Sequence, residues 1–384
     1  MPPRLHRASA RRIAVVAGTA VLLGSLAPLS QAADKYAAEF LRVGAGARAV
    51  GMGGAFSALA DDASAVYWNP AGLAYIGSRE VLYQHAEMFS SVVQYDYGSF
   101  ALPLGDKAQE KRPALGISLI RLGVSEVPVS GRIEDLQAGV DFEDGDGDPS
   151  TNLPTESNGV WDSGERLFLN PDGDFRYAGA NDWALLFSYA RPMGSKWNLG
   201  GTLKTIYRTI PGFENTTHTA FGVGLDVGTT FQPSQAVTLA FVARDLTGTV
   251  MAWEGDSQET VAPNFVIGGQ YTKHFNLRHA LTLALDLPFD FQGQTYEQYY
   301  GAQGEGSGLS GTIRVGGEYW FDNTLALRTG MMGRDLNFGA GFRYQRVGVD
   351  YAAVFNQFFL SAPGNFSGNT ELGMSHRVSG SYNF

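Results

Sequence analysis

The sequence predicts an all-β protein: a 14-stranded antiparallel transmembrane β-barrel with a small N-terminal hatch, or plug, inside the lumen. Three observations predict it. From Val81 onward, segments of about ten residues alternate apolar and polar side chains with period two. The polar faces of these segments repeatedly carry Arg, Asp and Glu, while the opposite faces are almost purely apolar. The connectors between them alternate short and long. A soluble sandwich would need its charged face in water, whereas a membrane barrel needs it in the lumen, because lipid tolerates no charge outward.

Residues 1–32 read as a signal peptide. Arg4, Arg7, Arg11 and Arg12 precede the apolar run IAVVAGTAVLLGSLAPL and the small-residue site SQA. The run is short and broken by Gly, Ser and Pro, so an exported chain is expected rather than an anchored one. No later window holds ~18 uninterrupted apolar residues, so no membrane-spanning helix is predicted. The chain has no cysteine, which excludes a disulfide framework. Its 49 glycines and 12% aromatic residues suit strands and tight turns. The net charge is −10, and the first 32 residues hold four Arg and no acid. A nucleic-acid partner is therefore not expected.

Residues 33–79 do not alternate, and they form the predicted hatch. KYAAEFLRVG suits one short helix ended by glycine, and DDASAVYWNP suits another, capped by Asp61 or Asp62 and stopped before Pro70. Residues 80–384 form the predicted barrel. Its strands start near 80–89, 93–104, 113–123, 182–191, 197–209, 218–231, 237–248, 263–274, 280–290, 310–321, 324–333, 336–345, 347–358 and 372–384. WNLGGTLKTIYR shows the pattern: Trp197, Leu199, Leu203 and Tyr207 lie on one face, and Asn198, Thr202, Lys204 and Arg208 on the other. The last strand points Met374, Val378, Tyr382 and Phe384 toward lipid, with Tyr382 and Phe384 as the C-terminal barrel signal. An even strand number puts both barrel ends on the periplasmic side, with the long loops outside.

The longest of those loops, about 124–180, is acidic. Asp141, Asp144, Asp146 and Asp148, then Asn158, Asp162 and Glu165, have the density and spacing of calcium loops, with glycines for sharp turns. The final Glu and flanking helices of an EF-hand are missing. Two readings stand: a structural Ca2+ site, or a solvated acidic loop. No other cofactor is predicted.

The string GARAVGMGGAFSALADDASAVYWNPAGLA resembles the N-terminal hatch of the FadL-like outer-membrane β-barrel superfamily, in its PorV/PorQ-type branch. The resemblance is specific over about 30 residues and otherwise rests on length, strand number and the terminal aromatic. It maps the hatch motif onto Asp61, Asp62, Trp68, Asn69, Pro70, Ala71 and Gly72. It implies an outer-membrane location in a Gram-negative-type bacterium, with the barrel-assembly machinery as a partner through the C-terminal strand. It implies two alternative functions. One is hatch-gated passage of hydrophobic, fatty-acid-like small molecules. The other is PorV-like service in type IX protein secretion, binding or shuttling secreted cargo.

Lumen charge is abundant: Lys204, Arg208, Arg244, Arg314, Arg328, Arg343 and Arg377 against Asp286, Glu318 and Asp350. Such charges are expected to pair with one another and with the hatch, because unpaired buried charge is costly. Asp61 and Asp62 are expected to latch the hatch to wall arginines. The alternative use of those arginines is to grip a carboxylate head, with Met52, Phe56, Tyr67, Trp68 and Leu73 lining the tail pocket and Arg314 and Arg343 as candidates. No enzyme is predicted. His85 and His376 fall on strands, but no nucleophile-elbow serine accompanies them.

Overall fold

The computed structural model describes residues 38–89, 91–106, 109, 111–129, 176–211, 217–254, 258–290, 311–355 and 374–384. The signal segment and the calcium candidates Asp141, Asp144, Asp146, Asp148, Asn158, Asp162 and Glu165 lie outside them.

The chain forms a closed antiparallel barrel of 14 staves. Its strands are β1 (Glu80–Met88), β2 (Val93–Pro103), β3 (Ala114–Val129), β4 (Arg176–Met193), β5 (Trp197–Pro211), β6 (Thr217–Ser234), β7 (Val237–Arg244) and β8 (Thr249–Trp253). They continue as β9 (Gln258–Val261), β10 (Asn264–His274), β11 (Ala280–Asp290), β12 (Arg314–Phe321), β13 (Leu325–Met332), β14 (Asp335–Tyr344), β15 (Val347–Phe355) and β16 (Met374–Asn383). Pairing runs from neighbour to neighbour, and β16 closes on β1 with Asn383 opposite Glu80. Two staves are interrupted. β6 pairs with β7 through Val227 and with β8 through Val223, so β7 and β8 are one stave broken at Asp245–Gly248. β9 and β10 are likewise one stave, broken at Ala262 and Pro263; proline cannot donate to the ladder. β3 and β4 run farther than their sequence pattern suggested, as an extended hairpin.

Alternation does the sorting that the sequence pattern implied. Trp197, Leu199, Leu203 and Tyr207 are exposed on the outer face of β5, while Asn198, Thr202 and Lys204 are buried inside. The same holds for Leu283, Leu285, Val315, Leu327, Phe338, Val349 and Tyr382. Solvent would not stabilise so continuous an exposed apolar band; hydrocarbon would. No helix among the described residues is long and apolar enough to cross a membrane.

The N-terminal residues 38–76 are almost entirely buried against the inward faces of the strands. The expected first helix is only a 3-10 turn, Glu39–Arg42, and the second only Ala65–Trp68. A five-residue helix, Ala47–Gly51, lies in between, where the sequence pattern suggested no helix. Isolated helices this short are not self-sustaining, so packing in the barrel dictates their shape. Glycine makes that packing close. Gly53 has φ +65°, and a Cβ there would stand 2.5 Å from the backbone nitrogen of Met331. Across the same contact, Gly316 and Gly330 lie against the backbone of Met52.

Candidate functional site

The N-terminal segment is held to the wall by side chains of opposite character. Arg48 sits on the short helix and forks onto the wall carboxylate Glu318, with Nε donating to Oε2 at 2.9 Å and Nη2 to Oε1 at 3.0 Å. Its Nη1 donates to Asp61 at 2.6 Å and Asp62 at 3.4 Å. Asp61 and Asp62 thus meet an arginine of their own segment rather than of the wall. Glu318 in turn accepts from Arg328 at 2.6 Å, Arg328 donates to Asp350 at 2.8 Å, and Arg343 donates to Asp350 at 3.0 Å. The polarity of the expected latch is reversed: the segment supplies the guanidinium and the wall the carboxylate.

A second wall carboxylate does the same. Asp286 accepts the backbone N–H groups of Phe56 and Ser57 at 3.1 and 3.0 Å and the Ser57 hydroxyl at 2.6 Å. The motif residue Asn69 is fully buried. Its Oδ1 accepts from the Ala71 N–H at 3.1 Å and so starts the 3-10 turn Pro70–Tyr75, and its Nδ2 donates to the Ser57 carbonyl at 2.8 Å. Gly72 packs on the Ala60 carbonyl, where a Cβ would not fit. Asn69→Ala leaves these backbone groups buried without partners, a cost of about 1–3 kcal/mol. Amide exchange at Ala71, whose N–H loses its acceptor, is expected to speed up while the strands stay protected; equal protection in the variant would refute the role.

Above this packing lies a cavity of about 280 Å3 between segment and wall. Tyr67, Trp68 and Val50 supply its apolar surface, and Arg244, Arg314 and Arg377 line it from the wall. Trp68 is fixed by its indole N–H on the Ala45 carbonyl at 2.7 Å, and Tyr67 by its hydroxyl on the Leu41 carbonyl at 2.5 Å. Arg244 lies 5.5 Å from the Tyr67 ring and 5.7 Å from the Trp68 ring, and Arg314 lies 6.0 Å from the Trp68 ring. Cation–π contact holds the two guanidiniums around one indole. Among the described residues, the Nε atoms of Arg244 and Arg377 are buried with no hydrogen-bond partner.

Of the residues expected to line a pocket, the structure brings Tyr67, Trp68 and Arg314 to this cavity. Met52, Phe56 and Leu73 are fully buried in the packing between segment and wall. Arg343 is paired with Asp350 and packs over Trp320 at 5.5 Å. Arg244, one of seven lumen cations in the sequence, gave no signal that set it apart there. It is the last residue before the interruption of β7, and that position turns it into the cavity.

The cavity also reaches the broken staves, being lined by Asp245, Val261 and Ala262. Asp245 has φ +51° and Gly248 φ +70°. Behind the break, Lys204 is buried between Asp226 at 2.8 Å and Asp245 at 2.6 Å, and Thr249 donates its hydroxyl to Asp245. Leu246 N–H bonds the Leu225 carbonyl at 2.8 Å and carries the ladder across the gap.

The strand histidines face outward. His85 Nδ1 is 2.8 Å from Asp96, and its Nε2 faces Glu87 at 3.6 Å. Among the described residues, no group of three or more His, Asp or Glu is placed to hold a metal ion. At the seam, the Phe384 N–H bonds the Arg79 carbonyl at 2.9 Å and its ring packs on Tyr382 at 4.9 Å.

Residues 13–102 match the model of an uncharacterised protein family, UPF0164. No curated protein matches the sequence. Among solved structures, the chain is similar to the Pseudomonas putida toluene transporter TodX, at 12% identity and a TM-score of 0.50 over 89% of this chain and 98% of that one. It is also similar to the CymD monoaromatic hydrocarbon channel (11% identity, TM-score 0.49, covering 89% of this chain and 98% of that one). A Pseudomonas aeruginosa FadL homologue matches at 13% identity and a TM-score of 0.43, over 87% of this chain and 96% of that one. These neighbours are FadL-family barrels, channels rather than enzymes, and at such identity the likeness shows the fold: a closed 14-stranded antiparallel β-barrel.

Proposed function

We propose that the chain is an outer-membrane barrel that passes a hydrophobic small molecule through a lumen plugged by residues 33–79. The cavity lined by Arg244 and Arg314 carries this reading. It offers an indole and a phenol ring for an apolar body, guanidinium forks for an acidic head, and a position against the broken staves. The similar barrel TodX is a toluene transporter, in keeping with an apolar cargo. On this reading residues 1–32 are the export signal, and the strand ending in Tyr382 and Phe384 is what the barrel-assembly machinery engages. The calcium proposal for Asp141 to Glu165 belongs to this reading too, since calcium would neutralise such clustered carboxylates. The motif string in residues 46–74 also supports the PorV-type branch, in which the partner is secreted protein cargo.

One experiment separates these. The protein is purified from its native membrane into a detergent unlike a lipid, and whatever accompanies it is identified by mass spectrometry. The expected result is a stoichiometric apolar molecule, whose occupancy falls about tenfold or more in Arg244→Ala plus Arg314→Ala, as loss of charge-assisted hydrogen bonds implies. An empty lumen with a stoichiometric protein partner would replace transport by the secretion reading.

A further inference from the structure

One sector of the outer face is not apolar. On β15, β16, β1, β2, β3 and β4 a line of outward polar side chains runs across neighbouring strands. The Tyr351 hydroxyl meets His376 Nδ1 at 2.6 Å, and His376 stands opposite Glu87 in the ladder. Asp96 is bonded by His85 and by the Tyr83 hydroxyl, each at 2.8 Å. Arg121 stands opposite Asp96, with its nearest nitrogen 3.5 Å from that carboxylate, and donates to Asn181 at 2.9 Å. Outward charges of both signs, bonded to one another, belong to a polar setting, since the cost of charge on a lipid face rises steeply with depth.

The height of this line is the informative quantity. On β5 the outer face stays without charge from Trp197 to Tyr207, about 25 Å along the barrel axis at the usual rise and tilt. On β2 the apolar outer face runs only from Leu102 through Phe100 and Gly98 before Asp96, about 15 Å. On β1 it comprises only Val81 and Tyr83 before His85. The lower ends of the strands are level, once the stagger of about one residue per strand that closure imposes is allowed for. The difference therefore lies wholly at the upper end, away from the C-terminus. At the height of Gln94, which pairs with Glu87, β6 carries Val223, an exposed apolar residue.

We propose that the β16–β1–β2–β3 side of the barrel is bordered by lipid head groups and water about 10 Å deeper than the β5–β6 side, thinning the upper leaflet along that sector. The occupant of the polar line is the bilayer's own interface, not hydrocarbon. This rests on the membrane reading above, and the test separates the two. The absence of native cysteine makes single-cysteine probes clean. Gln94→Cys, Glu87→Cys and Val223→Cys are each purified, checked for heat-modifiable barrel migration, and placed in protein-free phosphatidylcholine vesicles. A charged, bilayer-impermeant maleimide is supplied on both sides; it reacts only with a hydrated thiolate. Labelling at residues 94 and 87 is expected to be at least about tenfold faster than at residue 223. Slow labelling at all three positions would overturn the thinning and leave the membrane reading standing. Fast labelling at all three would overturn the membrane reading, and the thinning with it.

Discussion

Arg48→Ala destabilises the folded barrel by about 3–5 kcal/mol, the range for removing one partner of a buried ion pair. Arg48 is only 9% exposed and satisfies three carboxylates at once: Glu318 with two nitrogens, and Asp61 and Asp62 with the third. Without it, Glu318 keeps Arg328, Asp62 keeps its bonds from Ser64 and the half-exposed Asp61 turns to water, so the segment around Arg48 loses its tie to the wall. Arg48→Lys rescues little, because one ammonium cannot fork onto Glu318 and reach Asp61 as well. Arg48→Ala combined with Glu318→Gln costs less than the sum of the two, since both single variants lose the same Arg48–Glu318 pair. Denaturant unfolding in detergent measures the energy, and hydrogen exchange of residues 44–73 shows where it is lost. Wild-type protection of those residues in Arg48→Ala would mean that the arginine does not hold the segment to the wall.

The second large effect is at the broken staves. Lys204→Met leaves Asp226 and Asp245 facing one another in a buried site, with only the Thr249 hydroxyl and the Asp245 N–H to satisfy them. A loss of about 3–5 kcal/mol is expected again, but with a different signature. Asp245 is the first residue of the break, so its repulsion from Asp226 detaches the Leu246 amide from Leu225 and widens the gap beside the cavity. Exchange at Leu246 and Gly248 quickens, while residues 44–73 stay protected. Adding Asp226→Asn and Asp245→Asn to Lys204→Met restores most of the stability, because a neutral cluster has no charge to strand. If the triple variant were as unstable as the single one, packing rather than charge would hold this part of the wall.

The barrel was legible because alternation is a local property: each strand carries its own apolar and polar faces, as the segment around Trp197 to Tyr207 illustrates, and closure repeats it around the sheet. The interruptions of β7 and β9 were less legible. Arg244-Asp245-Leu246-Thr247-Gly248 could be read through as strand, since one left-handed residue and one glycine leave little trace in a periodic pattern. The N-terminal segment was legible as non-strand, but not as geometry. Its helices are set by the wall, so ARAVG was not picked out as helix and KYAAEFLRVG was, against what packing imposes. The paired lumen charges were anticipated as a class. Which cation met which carboxylate was not, because partners such as Arg48 and Glu318 share no local sequence.

The contact of Met52 and Gly53 with Gly316, Gly330 and Met331 has a consequence for assembly. A segment synthesised first is clasped by strands synthesised among the last. Backbone meets backbone there with no side chain to yield, so the segment is not threaded into a finished hoop; the sheet closes around it, as staves around a spindle. The unpaired edges of β1 and β16 are then the last to meet, and until they do the growing sheet presents two open edges. Contacts of such sequence separation make folding slow, and a truncation that removes the spindle leaves the closing strands nothing to close upon.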